Sequence, residues 1–267
     1  MIKCAVLIHG SPVSLEKSDT FGAVCGIVRE VDPVLFSGSE LQSGSELPSG
    51  SACLSAPAEK SGSIYARAAL AWLWRGTYGT SCPHIYKDKG GKPHFCGGRI
   101  SLSLSHSGAV SVAAISDGGE VGVDVQCVRE VSHLRCDAAF RRFFCMTPDE
   151  ILSTSAYGER GCGARDIEIK FIDTERLLSE GTARGNGAAG TESALSVKRL
   201  PIPSGDDKYL AAFSVAEAVM KADGAGLCGG KRLPEIIGKC HSVYDFYEIS
   251  GARYFISAAL IPEKINK

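Results

Sequence analysis

Short apolar runs separated by turn residues recur along this chain, and most of them have the length of a β-strand. Polar and apolar residues alternate over 100–104, which is typical of a half-buried strand. The turn Asp117-Gly118-Gly119 separates two further apolar runs, so we expect the strands on either side of it to form a hairpin. The predicted strands of this part of the chain are 5–7, 100–104, 110–115 and 121–125.

Helical spacing marks two longer segments. Apolar side chains between 64 and 75 recur at near-helical intervals, which predicts a helix packed on a sheet. A second helix is predicted over 214–222, with Ser214 as its N-cap, Glu217 completing a capping box and Gly224 ending it. Shorter helices are predicted at 138–144 and 148–152, and residues 22–28 fit either a strand or a short helix.

Two segments have a composition that predicts loops. Residues 36–63 repeat Ser-Gly-Ser-Glu-Leu and are rich in serine and glycine, and residues 155–206 form a glycine-rich insert. Inside this insert, the apolar residues 167–178 fit a strand or a helix. Near the C-terminus, the runs 243–249 and 254–260 flank a short turn and predict a hairpin.

These elements predict an α+β fold in two similar halves, each with a small, mostly antiparallel sheet packed on a long helix. We place the boundary at the turn before residue 119, which gives an N-terminal half 1–118 and a C-terminal half 119–267. With 267 residues, the chain is long enough to build a substantial core.

Composition and charge narrow the classes of function. A formal net charge of -1 gives no global field for nucleic acid, so an anion site would have to be local. We find no apolar stretch of about 18 residues that would suit a membrane span. The 11 cysteines contain no Cys-x-x-Cys pair, which indicates free thiols, mostly in the core, rather than zinc sites or disulfides. We expect a soluble, cytoplasmic monomer that binds neither nucleic acid nor membranes.

Polar side chains that could bind a ligand or take part in catalysis interrupt these apolar runs. Ser105-His106-Ser107 ends a predicted strand beside Gly108, where hydroxyls, an imidazole and backbone N–H groups suit phosphate oxygens. The alternatives are a plain turn, or a serine nucleophile with a histidine base, although the Gly-x-Ser-x-Gly elbow of serine hydrolases is missing. Asp124 stands among valines, where a carboxylate is costly unless it is paired, binds a metal or lies on a half-exposed face.

Three further segments complete the candidates. Glu217 and Lys221 lie four residues apart and share one face of the predicted helix, either in a site or as a surface ion pair. Lys92-Pro93 presents a lysine at the start of a stiff, extended segment or in an ordinary turn. Residues 224–229 match Gly-x-Gly-x-x-Gly, but they follow a helix instead of opening one, so we exclude a dinucleotide site.

The order of these motifs resembles that of the 4′-phosphopantetheinyl transferase superfamily, of the monomeric Sfp type. The similarity is dense over 92–125, good over 213–227, and loose near Arg67 and Phe143-Phe144. The matching segments are Gly91-Lys92-Pro93, Ser105-His106-Ser107, Val121-Gly122-Val123-Asp124-Val125 and Phe213–Lys221 with its glycine-rich exit.

The resemblance implies a pseudo-dimer of two α/β halves with coenzyme A and Mg²⁺ in the cleft between them. The implied activity moves the 4′-phosphopantetheine arm of coenzyme A to a serine of an apo-acyl or peptidyl carrier protein and releases 3′,5′-ADP. Asp124 and Glu217 would bind the metal, Glu217 would help to deprotonate the acceptor serine, and Lys221 would hold the pyrophosphate. The residues expected to contact coenzyme A are Lys92, Pro93, Ser105, His106 and Lys221.

The sequence departs from the family pattern at two positions next to these residues. Ala216 stands where the family has a lysine, and Gln126 stands where many members have a second acidic residue. Gln126 is therefore a weaker candidate metal ligand, through its amide oxygen. These losses leave an alternative hypothesis, a non-catalytic relative that binds coenzyme A or a carrier domain without transferring the arm.

Overall fold

A computed structural model of the protein describes residues 1–9, 19–33, 58–128, 137–157, 167–182 and 196–263. In chain order the strands are β1 (Ile2–Ile8), β2 (Ile85–Lys87), β3 (Pro93–Phe95), β4 (Ser101–Ser107), β5 (Val110–Ser116), β6 (Gly119–Cys127), β7 (Ala156–Tyr157), β8 (Ile167–Asp173), β9 (Val197–Arg199), β10 (His241–Ile249) and β11 (Ala252–Pro262). The α-helices are α1 (Asp19–Val31), α2 (Ala58–Tyr78), α3 (Asp137–Phe144), α4 (Pro148–Ser153), α5 (Thr174–Thr182), α6 (Asp207–Asp223) and α7 (Leu233–Ile237), and a 3₁₀ helix spans Leu227–Arg232. The predicted α+β class is confirmed.

The first sheet has the strand order β2-β3-β4-β5-β1-β8. The apolar strand β1 lies inside it, antiparallel to β5 and parallel to β8. Strands β4 and β5 pair along their whole lengths and turn at Gly108, whose φ of 58° lies in the left-handed region that suits glycine. This turn fixes the orientation of the segment Ser105-His106-Ser107.

The second sheet has the order β6-β11-β10-β7, with β9 also paired to β10. Strands β10 and β11 are antiparallel and turn at Ser250 and Gly251, as the sequence predicted for this hairpin. Strand β6 pairs along its whole length with β11 and is an edge strand of the path. Asp124 therefore lies on an edge strand, next to the first sheet.

Three apolar clusters arrange the sheets and helices in layers. Val6 and Val112 of the first sheet meet Val123 and Ile256 of the second, so the two sheets pack face to face. The outer face of the first sheet is covered by α1, α2 and α5. The outer face of the second is covered mainly by α6, whose central residues are buried, together with α3, α4 and α7.

Serine side chains of β4 join the first sheet to the edge of the second. The odd-numbered serines of β4 share the inner face of the first sheet with the alternate residues of β5. Each serine oxygen accepts a backbone N–H from an odd-numbered residue of β6, with N···O distances of 3.0–3.3 Å. These hydroxyls satisfy donors that an edge strand would otherwise leave without a partner. The bonds run from Val121 to Ser101, Val123 to Ser103, Val125 to Ser105 and Cys127 to Ser107.

The predicted hairpin between β5 and β6 is wrong. The chain does turn at Asp117-Gly118-Gly119, but β5 belongs to the first sheet and β6 to the second. Gly119 makes this change of sheet possible, because a Cβ there would lie 2.2 Å from the carbonyl oxygen of Ile261 on β11. The partner of β6 comes from the far end of the chain, which local turn chemistry does not reveal.

Two predicted helix starts are also corrected. Helix α6 begins at Asp207, so Ser214 is a buried residue inside the helix and does not cap it, whereas Gly224 ends the helix with a φ of 79°, as predicted. Helix α2 begins at Ala58, inside the predicted loop 36–63, and residues 34–57 lie outside the described part of the chain.

The glycine-rich insert contains more regular structure than its composition suggested. Residues 167–178, which fitted a strand or a helix, contain both β8 and the beginning of α5. Strand β8 joins the first sheet, so this sheet includes residues from beyond the predicted boundary before residue 119. Residues 22–28, the other ambiguous segment, lie in α1.

Within the described ranges, no helix is long and apolar enough to cross a membrane. The cysteines whose side chains are described there are free thiols, and most of them belong to the apolar core, as predicted. Cys4 and Cys240 are buried in it, and Cys25, Cys82 and Cys127 are partly buried and pack against it.

Candidate functional site

The face of β6 that points toward α6 carries the first candidate residue, Asp124. Its side chain is only 1% exposed, so its carboxylate needs hydrogen-bond partners. Oδ1 accepts hydrogen bonds from Ser105 Oγ at 2.9 Å and from Lys221 Nζ at 2.8 Å, and Oδ2 accepts one from Gln126 Nε2 at 2.9 Å. Of the alternatives that the sequence left open for Asp124, the half-exposed face is excluded by its burial, and the structure shows a paired carboxylate.

Helix α6 provides the other two charges. Glu217 and Lys221 lie one turn apart on the side facing β6, and Lys221 Nζ is 3.1 Å from Glu217 Oε1. The surface ion pair considered from the sequence does not describe them, because Lys221 also binds the buried Asp124. The three side chains meet where α6, β6 and β4 come together.

One ammonium group faces two carboxylates here, so this cluster has one unbalanced negative charge. Burial raises the pKa of Glu217, and the nearby Asp124 raises it further against the opposing effect of Lys221. Burial alone would lower the pKa of Lys221, but Asp124 and Glu217 outweigh it and raise the pKa. The site therefore holds a lysine that keeps its charge and a carboxyl group that binds a proton more readily than an ordinary one.

Gln126 links the two carboxylates. Its Nε2 donates to Asp124 Oδ2 at 2.9 Å and to Glu217 Oε2 at 3.2 Å. Rotation of this amide by half a turn would place its carbonyl oxygen beside both carboxylates. Two carboxylates and an amide oxygen are hard oxygen ligands of the kind that Mg²⁺ prefers, and they carry the excess negative charge that a cation offsets. The donor set therefore fits Mg²⁺, although no group of three or more His, Cys, Asp or Glu side chains suited to a metal occurs in the described ranges.

His106 points away from this cluster. Adjacent residues of a strand face opposite sides, so Ser105 faces β6 while His106 faces helix α2. The imidazole lies against Gly62, where a Cβ would come within 2.5 Å of its Nδ1. Burial lowers the pKa of His106, and the cations Lys221 and Arg67 lower it further. Both cations are themselves paired with carboxylates, Lys221 with Asp124 and Glu217 and Arg67 with Asp32.

This geometry also bears on the serine-hydrolase alternative. Ser105 Oγ donates to Asp124, and Ser107 Oγ accepts the N–H of Cys127. Both serines lie on the face of β4 opposite His106. The arrangement is not that of a nucleophile hydrogen-bonded to its base, so this alternative has no geometric support.

Lys92 and Pro93 lie at the other end of β6. Lys92 Nζ is 2.5 Å from Glu120 Oε2 and donates to the carbonyl oxygen of Ala222 at 2.7 Å, near the C-terminus of α6. Pro93 begins β3 and pairs with Lys87. Lys92 thus contacts the residue next to Lys221, but its charge is directed at the helix end and Glu120. The predicted contact of Lys92 and Pro93 with a nucleotide stays a prediction.

Sequence analysis did not single out Glu120, which accepts hydrogen bonds from Lys92 and from Ser101. It also did not show that the serines of β4 hold β6 in place, as Ser103 does by accepting the N–H of Val123. A signal for the serines was present, because residues 101, 103, 105 and 107 are serines at the period of a strand face.

A search with family models finds no match to this chain, and a search of curated proteins finds no significant match.

Proposed function

We propose that the protein is a 4′-phosphopantetheinyl transferase, which moves the phosphopantetheine arm of coenzyme A to a serine of an apo-carrier protein. The observation that supports this most directly is the cluster of Asp124, Glu217 and Lys221. The resemblance assigns these three residues to the reaction, and they come from two distant parts of the sequence. The same resemblance suggests that the two layers of sheet and helix are two similar halves, and this pseudo-dimer belongs to the proposal.

The exposure of the side chains suggests how a pyrophosphate would be bound. The side chains of Lys221 and Glu217 are 25% and 19% exposed, whereas Asp124 is almost completely enclosed. Lys221 can therefore reach a phosphate oxygen while Asp124 holds its ammonium group from behind. The exposed imidazole of His106, which lies against Gly62 of α2, could donate an N–H to a second phosphate group of coenzyme A.

Glu217 is the candidate base. In the proposed step, the serine hydroxyl oxygen of the carrier protein forms a bond to the β-phosphorus of coenzyme A. The bond from this phosphorus to the bridging oxygen breaks, and its electron pair leaves with 3′,5′-ADP. The hydroxyl proton passes to Glu217, whose carboxylate is the more exposed of the two in the cluster. Such a displacement needs positioning and charge neutralisation more than covalent catalysis.

The residues that would hold Mg²⁺ are Asp124 and Glu217, with Gln126 as a weaker third ligand. The ion would neutralise charge on the pyrophosphate as the leaving group departs. Lys221 would then be released from part of its pairing with the carboxylates and would face the substrate phosphates.

Gln126 also favours the alternative of a non-catalytic relative. Its amide nitrogen already donates hydrogen bonds to both carboxylates, and the side chain has no negative charge. Ala216, the other departure from the family, is fully buried in the core of the second layer, so a lysine there would not simply restore a cation to the site. The informative change is therefore Gln126→Glu alone. Activity that appears only in this variant would support the non-catalytic alternative for the natural chain.

The test is an incubation of the protein with coenzyme A, Mg²⁺ and apo-carrier proteins of the fatty-acid, polyketide and peptide-synthetase types. Intact mass spectrometry should show one carrier gaining a single phosphopantetheine group. Asp124→Ala should abolish this gain, because it removes both a metal ligand and the partner of Lys221. If no carrier of any type gains mass with the natural chain, the proposal is refuted.

A further inference from the structure

Ser105 makes a complete set of hydrogen bonds within the protein. A hydroxyl group has one proton to donate and two lone pairs to accept with. The proton of Ser105 goes to Asp124 Oδ1 at 2.9 Å, and its oxygen accepts from Lys221 Nζ at 3.1 Å and from the backbone N–H of Val125 at 3.3 Å. With only 8% of the residue exposed, no donor remains for a phosphate oxygen.

The neighbouring serines show what is particular to this position. Ser103 has the same place in the row of serines and accepts the N–H of Val123 at 3.0 Å. Its side chain points to the same face of β4, toward β6, where Gly122 has no side chain to receive a hydrogen bond. Ser105 is the member of the row that binds both Asp124 and Lys221.

We propose that Ser105 is a positioning residue that fixes the Asp124 carboxylate and the Lys221 ammonium relative to each other, and that it does not bind coenzyme A directly. It is held by the hairpin of β4 and β5, while Asp124 comes from β6 and Lys221 from α6. The hydroxyl therefore ties the first sheet to the charged groups of the second. The kinetic part of this inference rests on the proposed transferase function, whereas the part concerning the contact with Asp124 does not.

Kinetics separate positioning from direct binding. In Ser105→Ala, we expect kcat of phosphopantetheine transfer to fall by about fivefold or more, because small displacements of reacting groups slow catalysis. The KM for coenzyme A should change by less than about twofold, since binding energy to the substrate is not removed. Ser103→Ala is the matched control, since it deletes the same type of bond to β6, and both constants should stay within about twofold of the natural values. A higher KM with unchanged kcat in Ser105→Ala would show a direct contact with coenzyme A and overturn the inference.

A double-mutant cycle in stability tests the contact without any activity. Urea unfolding of Ser105→Ala, Asp124→Ala and the double variant should give non-additive changes, because the two side chains share a hydrogen bond. The control cycle of Ser103→Ala with Asp124→Ala should be additive. If both cycles are additive, the positioning role is refuted. If the Ser105 cycle is coupled while no carrier protein is modified, the proposed transferase function fails and the contact remains.

Discussion

Gly122 determines how closely helix α6 can approach strand β6, and replacing it gives the sharpest test of this architecture. A Cβ at position 122 would lie 1.8 Å from the carbonyl oxygen of Ala218 and 2.6 Å from the backbone nitrogen of Ala222. Both obstructing atoms belong to the helix backbone, so no side-chain rotation relieves the clash. In Gly122→Ala, either α6 or β6 has to move.

The expected size of the effect follows from these distances. Ordinary contacts of a Cβ lie at 3.4–4 Å, so the oxygen of Ala218 has to retreat by roughly 1.6 Å. Overpacking a core in this way costs about 1–3 kcal/mol, and the backbone contact places this case at the upper end. A loss of about 3 kcal/mol corresponds to a melting temperature lower by roughly 6–12 °C in a chain of this size.

Urea unfolding followed by circular dichroism measures this loss, with thermal melting as a second readout. Gly76→Ala is the control, because Gly76 lies in helix α2 with nothing within 4 Å of the added Cβ. Alanine should stabilise that exposed helix position by about 0.5–1 kcal/mol. A Gly122→Ala variant whose stability stays within about 0.5 kcal/mol of the natural chain would contradict the close packing of α6 on β6.

Two further variants test the charges around the site. Because the pKa of Glu217 is raised in the folded protein, the native state holds this proton more tightly, and wild-type stability falls as pH rises from about 4.5 through the folded pKa. The free energy of unfolding of Glu217→Gln, measured with urea, should therefore rise relative to that of the natural chain between about pH 4 and about pH 7. A difference between the two chains that stays constant, or that changes in the opposite direction, would contradict this reasoning. Lys92→Met should lose about 1–2 kcal/mol, since Lys92 bonds to the carbonyl of Ala222. The exposed Lys239→Met should lose less than about 0.5 kcal/mol, and an equal loss in both variants would show that the helix-end contact has no effect.

The sequence predicted elements better than it predicted their partners. Local periodicity located β4, β5 and β6, because alternation along a strand reflects which face is buried. It placed β5 and β6 in one hairpin, since a turn with two glycines is the strongest short-range signal available. The actual partner of β6 is β11, which lies more than a hundred residues away in the sequence. On the other edge of β6, the backbone N–H groups donate to serine hydroxyls. The pairing of β6 with β11 leaves no local pattern. The alternate serines of 101–107 do form one, but nothing in it indicates that they face β6.

The meeting of Asp124 with Glu217 and Lys221 depends on the close approach of helix α6 to strand β6. Asp124 and Gly122 are two residues apart on β6 and share the face toward α6. On α6, Ala218 and Ala222 are small residues four apart that contact Gly122, and Glu217 and Lys221 are the residues that precede them. The contact that brings the helix backbone onto the glycine therefore also brings the two charged side chains beside Asp124. Bonds of 2.8–3.1 Å to Lys221 follow from this approach, because a helix held off by a side chain at position 122 would carry its charges outward with it. Glycine, aspartate and the helix motif thus act as one unit. The resemblance, which rests on the order of these segments along the chain, could therefore imply the cluster, whereas each residue alone could not.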